Sequence, residues 1–209
     1  MKTRLLVLLS LTLIAGCAGL PSDQTTDQRF IPIELWAGAN WNGTEEIVLS
    51  RLDVASGKNK KRHISGPTAW RHPSTGENYL VYERTNKKKD GLKRQLFALN
   101  EAGTSLGRVY DSRPGSKDRI FKNEAMFPIG NWRRGEERTF EYLEFLQTGP
   151  VKRVATIKIR RLDYVYKGIP HSLKYDRIQR DENGEMLFHE RFVYSPGKSL
   201  VRFTNRMKK

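Results

Sequence analysis

Cysteine is nearly absent from this chain: Cys17 stands alone among 209 residues. No disulfide can form within the folded part, so burial has to stabilise it even in an oxidising compartment. Histidine is scarce too. His63, His72, His171 and His189 never fall three or four residues apart, and no local group of His, Asp and Glu has metal-ligand spacing. The expectation is therefore no metal and no cofactor. Acidic residues are few beside basic ones, with Asp+Glu 23 against Lys+Arg 38 and a formal charge of +15. Such an excess favours anionic partners: phospholipid headgroups, acidic glycans or nucleic acid. Long hydrophobic runs are missing as well. The one greasy stretch, residues 5–14, is too short to span a bilayer, which needs about 20 apolar residues.

That stretch has a context. Met1-Lys2-Thr3-Arg4 is basic, residues 5–14 are apolar but for Ser10 and Thr12, and Ala15-Gly16-Cys17 ends the run with small residues. This is the layout of a secretory signal. A plain cleaved signal or an uncleaved anchor helix are the alternatives. Leu13-Ile14-Ala15-Gly16-Cys17 resembles the lipobox of bacterial lipoproteins, with Ile14 where leucine is more usual. The resemblance covers residues 1–20. It implies that Cys17 is lipidated, becomes the mature N-terminus and holds the protein on a membrane. Each buried methylene contributes about 0.8 kcal/mol, so several acyl chains anchor where one binds reversibly. Ala18, rather than aspartate, follows the cysteine. In a Gram-negative host that implies the outer membrane, reached through the periplasm. Export makes nucleic acid a poor partner, and none is expected.

The expected organisation is a signal over residues 1–16, a lipidated tether over 17–30, and a single β-rich domain over 31–209. A sub-boundary near 112–135 is the alternative division of that domain. Gly19, Pro21, Ser22, Asp23, Gln24, Thr25 and Thr26 make the tether too polar to bury a core face. Beyond it the hydrophobic period is mostly two. Ile47-Val48-Leu49, Tyr79-Leu80-Val81-Tyr82 and residues 94–99 read as strands, with Asp90-Gly91 as the hairpin between the last two. Val54 to Gly57 and Gly103 to Gly107 read as turns. Residues 139–146 alternate. Residues 151–166 form a long strand in which Ala155, Ile157 and Ile159 share one face while Leu162, Tyr164 and Tyr166 share the other. A one-residue slip near Arg160-Arg161 would bring the two sets together. Asn183-Gly184 and Ser195-Pro196-Gly197 turn the chain between the last strands. A short helix over 116–127 is the one helical reading, with Phe121 and Ala125 four apart. The fold class expected is all-β: an antiparallel meander forming a sandwich or a partly closed barrel.

Phe127-Pro128-Ile129-Gly130-Asn131-Trp132, then Gly135-Glu136, Thr139-Phe140 and Tyr194-Ser195-Pro196-Gly197-Lys198-Ser199-Leu200-Val201, resemble segments of uncharacterised secreted β-rich bacterial proteins. The likeness covers the last third of the chain. It implies a curved β-sheet and no established chemistry.

Candidate chemistry is sparse. Gly103-Thr104-Ser105-Leu106-Gly107 has the spacing of a hydrolase nucleophile elbow, but that elbow needs a strand before the serine and a helix after it. Here a strand follows, and a glycine-flanked hairpin is the competing reading. Gly197-Lys198-Ser199 lacks the glycine five positions earlier that a phosphate loop requires, since Phe192 stands there. Basic residues cluster over Lys58 to Arg62, with Lys60 and Lys61, over Arg84 to Arg94, with Lys87, Lys88 and Lys89 at its centre, and over Lys152 to Arg161, with Arg133 and Arg134 before it. They are candidate contacts for an anionic surface, or charges that keep strand edges from pairing. Trp36, Trp41, Trp70 and Trp132 are candidate ligand aromatics, or core material; Trp36 and Trp41, which flank Gly38, are the foremost of them.

The reading that follows is a non-enzymatic envelope lipoprotein binding an apolar or anionic envelope component, such as an anionic lipid or a glycan, or a partner protein. An envelope hydrolase and a structural or assembly lipoprotein are the alternatives. Mass spectrometry of the native product is expected to show a chain beginning at an acylated Cys17. A polypeptide retaining Met1 with a free thiol would refute the lipobox reading.

Overall fold

Alternating apolar residues separated by turns of two to six residues dictate hairpins, and the computed structural model is built from them almost throughout. It describes residues 28–38, 46–49, 52–53 and 60–207. In chain order the elements are β1 (Gln28–Ile31), α1 (Ile33–Ala37), β2 (Glu46–Leu49), β3 (Leu52–Asp53), β4 (Lys60–Arg71), β5 (Asn78–Lys88), β6 (Gly91–Leu99), β7 (Ser105–Ser112), β8 (Arg119–Lys122), β9 (Phe127–Pro128), β10 (Gly130–Arg133), β11 (Glu137–Leu146), β12 (Gly149–Tyr166), β13 (Ile169–Arg180), β14 (Met186–Ser195) and β15 (Ser199–Asn205).

One large sheet runs β2-β4-β5-β6-β7-β8-β11-β12-β13-β14-β15-β3, with β9 added beside β7 and a separate ribbon of β1 and β10. All pairings are antiparallel except β15 with β3. The sheet curls, so that its two ends arrive at β2 and β3, which are neighbours in sequence. It does not close into a barrel. The β15–β3 pairing consists of Arg202 with Leu52 and Phe203 with Asp53. The fold is thus the expected all-β antiparallel meander, sandwich-like and partly closed. The sheet passes without interruption through the region 112–135, because β8 pairs both β7 and β11.

The turns show why the meander forms. Lys167 (φ 49°) and Gly168 (φ 81°) sit between Tyr166 and its partner Ile169. Two successive positive φ values match the right-handed twist of the flanking strands. At the β13–β14 turn the Asp181 carboxylate accepts from the Asn183 and Glu185 amides at 3.0 and 2.9 Å. Two expectations fail locally. Residues 119–122 form β8 rather than a helix, because Phe121 is buried against the neighbouring strands and the extended chain supplies ladder partners on both sides. Gly107 lies within β7, not in a turn; the Glu124 carbonyl packs where a Cβ would stand, so only glycine fits. The expected turn at 54–57 lies outside the described residues.

The slip near Arg160 is present, and a second one follows it. Register shifts fall between Ile159 and Arg161 and again between Arg161 and Tyr164. Ala155, Ile157 and Ile159 are wholly buried inside the curl, and Leu162 packs against the same cluster. The second shift returns Tyr164 to the outer face, so the expected union of Tyr164 and Tyr166 with the isoleucines does not occur. Inside, Phe97, Phe121, Phe127, Trp132, Tyr175 and Phe192 dominate the core. Each such side chain contributes about 1.5–3 kcal/mol when fully buried. A smaller cluster of Val81, Leu96, Ala98 and Val109, with Trp70 against it, covers the opposite face of β5–β7.

His72 anchors the β4–β5 turn from within. Its Nδ1 accepts from the Ser74 and Thr75 amides at 3.2 and 3.1 Å, which leaves the proton on Nε2, 3.1 Å from the Phe121 carbonyl. Protonating Nδ1 would set a cation's N–H against two donors. Burial accordingly holds the imidazole below its ordinary 6.5. A folded-state pKa below the unfolded one means that stability present above pH 6.5 is lost as pH falls. The urea midpoint is expected to drop between pH 7 and pH 5, and the His72→Asn variant, which still accepts from the turn amides, is expected to flatten that drop.

Candidate functional site

The curled sheet leaves a cleft of about 660 Å³ on its inner face, within the range of small-molecule sites. One wall is apolar. Trp36 from α1 packs on Phe97 with ring centroids 4.8 Å apart, and Phe192, Tyr194, Leu200 and Phe203 of β14 and β15 continue the wall. Alternation in β6 brings Lys93, Gln95 and Phe97 to the same lining, and Arg84 of β5 lies over the Phe97 ring at 4.5 Å. The opposite wall is charged.

That charge has an unusual distribution. A register shift between Leu96 and Phe97 bulges β7, so Arg108 and Asp111 meet across an odd spacing at 2.8 Å. The buried Asp111 carboxylate also takes Arg113 at 3.0 Å and Gln95 at 3.0 Å, and Lys93 stands 3.8 Å away. One anion thus serves three cations. Burial would raise the Asp111 carboxyl, but Arg113, Arg108 and Lys93 hold it below the usual range. Burial, helped by the neighbouring Arg113, Arg84 and Arg108, brings the Lys93 ammonium down to about 7 against the pull of Asp111. The rim adds Lys89 and Asp90.

Beneath the cleft, Glu124 closes the arrangement. It takes a two-pronged hydrogen bond from Arg108 at 2.7 Å on each oxygen and a further one from Arg177 at 2.8 Å. Arg177 also donates to the Ala125 carbonyl at 2.8 Å and reaches Glu190 at 3.2 Å. Burial opposes ionisation of Glu124, yet Arg108 and Arg177 keep its carboxyl below normal. This cluster sets the cleft floor and fixes Arg108 toward Asp111.

The residues expected from sequence are scattered. Trp36 lines the cleft while being almost fully buried, and Lys89 stands at the rim. Lys87 is exposed at the end of β5. Arg133 and Arg134 are exposed at the end of β10, away from the cleft lining. Trp41 and Lys58 lie outside the described residues, as do the side chains of Lys60, Lys61, Arg62 and Lys88. Trp132 is core, its indole N–H donating to the Ile129 carbonyl at 2.9 Å. Ser105 is fully buried at the start of a strand that continues to Ser112, and its hydroxyl has no hydrogen-bond partner. The hairpin reading of Gly103–Gly107 therefore describes the local structure, apart from Gly107 itself. Sequence reasoning held Lys93 only as part of the basic stretch 84–94 and missed Arg108, Asp111, Glu124 and Arg177. A signal existed for Arg177: it shares a strand phase with Leu173 and Tyr175, and a cation in phase with core residues demands a buried partner.

Among the described residues no three His, Cys, Asp or Glu side chains could hold a metal ion, and no helix is long and apolar enough to cross a membrane. No protein-family model, curated protein or solved structure matches the chain.

Removing one member of a buried ion cluster strands the others, which costs about 3–5 kcal/mol. Glu124→Gln is expected to lower unfolding free energy by roughly that amount, measured by urea denaturation at pH 7. A loss under about 1 kcal/mol would show that Arg108 and Arg177 are held by other contacts.

Proposed function

We propose that this protein is an exported lipoprotein, anchored through Cys17, whose β-domain binds an anionic amphiphile in the cleft without transforming it. The observation that carries this reading is the pairing of an aromatic wall with a cationic one. An acyl or other apolar tail would lie along Trp36, Phe97 and Phe192. An anionic head would reach Lys93 and Arg113, which line the cleft and share the buried Asp111 behind them as counter-charge. Charge-assisted hydrogen bonds to such a head are roughly twice as strong as neutral ones. The lipobox at residues 13–17 supports placement at a membrane that contains such molecules. The other charged groups near the floor are occupied with one another, and the elbow serine is buried, which supports binding rather than catalysis.

Titration of the full chain with dodecanesulfonate below its micellar concentration, followed by tryptophan fluorescence, tests the reading. The sulfonate is expected to bind more tightly than dodecanol. Its affinity should rise as pH falls through 7, because Lys93 gains its proton there and faces the head as a cation. Lys93→Gln should remove that pH dependence and weaken binding by about tenfold, the size of one charged hydrogen bond. Equal affinity for sulfonate and alcohol, or a fluorescence change that survives Trp36→Phe, would overturn the proposal.

A further inference from the structure

The outer face of β12–β15 carries a second arrangement of charge, unconnected with the cleft. Strand register sets Arg161 opposite Lys174, Lys174 opposite Val193, and Val193 opposite Arg202. The four residues form one row across four strands, on the face turned away from Phe192 and Tyr194. Three of them are cations. Like charges on directly opposed strand positions, as Arg161 and Lys174 are, destabilise a sheet. Val193 is buried beneath them, and the row lines a groove of about 320 Å³ shared with Tyr164, Arg191 and Arg206.

Among the described side chains, local anions do not neutralise this row. Asp176, in the adjacent row, is already held by Arg160 at 2.7 Å and by Arg191 at 2.5 and 2.8 Å. Among the described residues no carboxylate forms an ion pair with Arg161, Lys174, Arg202 or Arg206. A second observation points the same way. Tyr164 lines the groove, the Arg161 guanidinium lies over its ring at 5.6 Å, and its buried hydroxyl has no hydrogen-bond partner. An unsatisfied buried hydroxyl costs about 1–3 kcal/mol unless something accepts from it. The second register shift of β12 is what brings Tyr164 to this face beside Arg161. Without it the phenol would point into the curl.

We propose that this outer groove is a binding site for a phosphoryl group. Arg161 and Arg202 supply planar donors from the two flanks, Lys174 supplies a point charge between them, and the Tyr164 hydroxyl donates from the end. Guanidinium groups match the geometry of phosphate oxygens, and a bound dianion relieves the repulsion along the row. The groups that line the groove recognise the phosphoryl group itself, which a lipid headgroup and a soluble phosphate share. This site does not depend on the cleft or on its occupant.

The test uses the full chain and two probes: inorganic phosphate, and vesicles of phosphatidylcholine with or without phosphatidic acid. Thermal unfolding is followed in phosphate and in chloride of equal ionic strength. Arg202→Gln is the principal variant, because Arg202 is exposed; its unliganded melting temperature is expected to equal or exceed that of the wild type. Lys117→Gln/Lys198→Gln, which removes two exposed charges elsewhere, is the control. Phosphate-specific stabilisation that falls about tenfold in affinity in Arg202→Gln, and not in the control, supports the site with a soluble source. Binding to phosphatidic acid vesicles alone, lost in Arg202→Gln and kept in the control, supports it with a headgroup source. Tyr164→Phe is expected to weaken either response without altering its salt dependence. No response to either probe, or a response lost equally in the control, overturns the proposal.

Discussion

Glu124 is the group on which the inner face of the molecule depends. It stands between Arg108 of β7 and Arg177 of β13, strands that lie far apart along the curled sheet. A buried guanidinium without a partner is very costly, and here two of them share one carboxylate. The close pass of the Glu124 backbone over Gly107 brings that carboxylate to the right depth, since any side chain at 107 would push it away. The cluster joins opposite parts of the curl across its interior. It contributes specificity of arrangement more than net free energy, because desolvation offsets much of the attraction between its charges.

The same cluster explains why the cleft is asymmetric. Glu124 and Glu190 absorb the charge of Arg177 and most of that of Arg108. Asp111 is then left to serve Arg108, Arg113 and Lys93 together. The excess of positive charge emerges at Lys93, next to an aromatic wall supplied by strands from the other end of the sheet. An interior that is apolar on one side and under-neutralised on the other suits an amphiphile with an anionic head. The outer groove obeys a similar logic at the surface: Asp176 is consumed by Arg160 and Arg191, and among the described side chains no carboxylate pairs with the row of Arg161, Lys174 and Arg202.

Much of the fold is legible in the residues themselves. Apolar alternation in 155–159 and positive-φ turns at Gly168, Gly184 and Gly197 specify hairpins locally, because side-chain direction and turn geometry are properties of a few adjacent residues. The slip near Arg160 is legible for the same reason. The second slip, before Tyr164, is not. Either face would satisfy the alternation of Tyr164 and Tyr166, and only the pairing with Ser172 decides between them. Residues 119–122 mislead for a related reason. Phe121 and Ala125 at helical spacing are a weak local preference, which ladder bonds to β7 and β11 override. The cleft is less legible still. Of the conspicuous basic runs only 84–94 reaches the lining, through Arg84, Lys89 and Lys93, whereas Arg108 and Arg177 look ordinary in sequence.

What the sequence by itself determined is the all-β meander, the positions of its main turns, and the absence of any disulfide that could hold it. These follow from interactions between near neighbours and from composition. What only the tertiary structure decided is which charges end up together. Arg108 and Glu124 are 16 residues apart, Glu124 and Arg177 are 53 apart, and Arg161 meets Arg202 only through two intervening strands. Whether a given charge is neutralised depends on partners brought near by curl and register. Coulombic energy depends on distance in space, and distance along the chain carries almost no information about it.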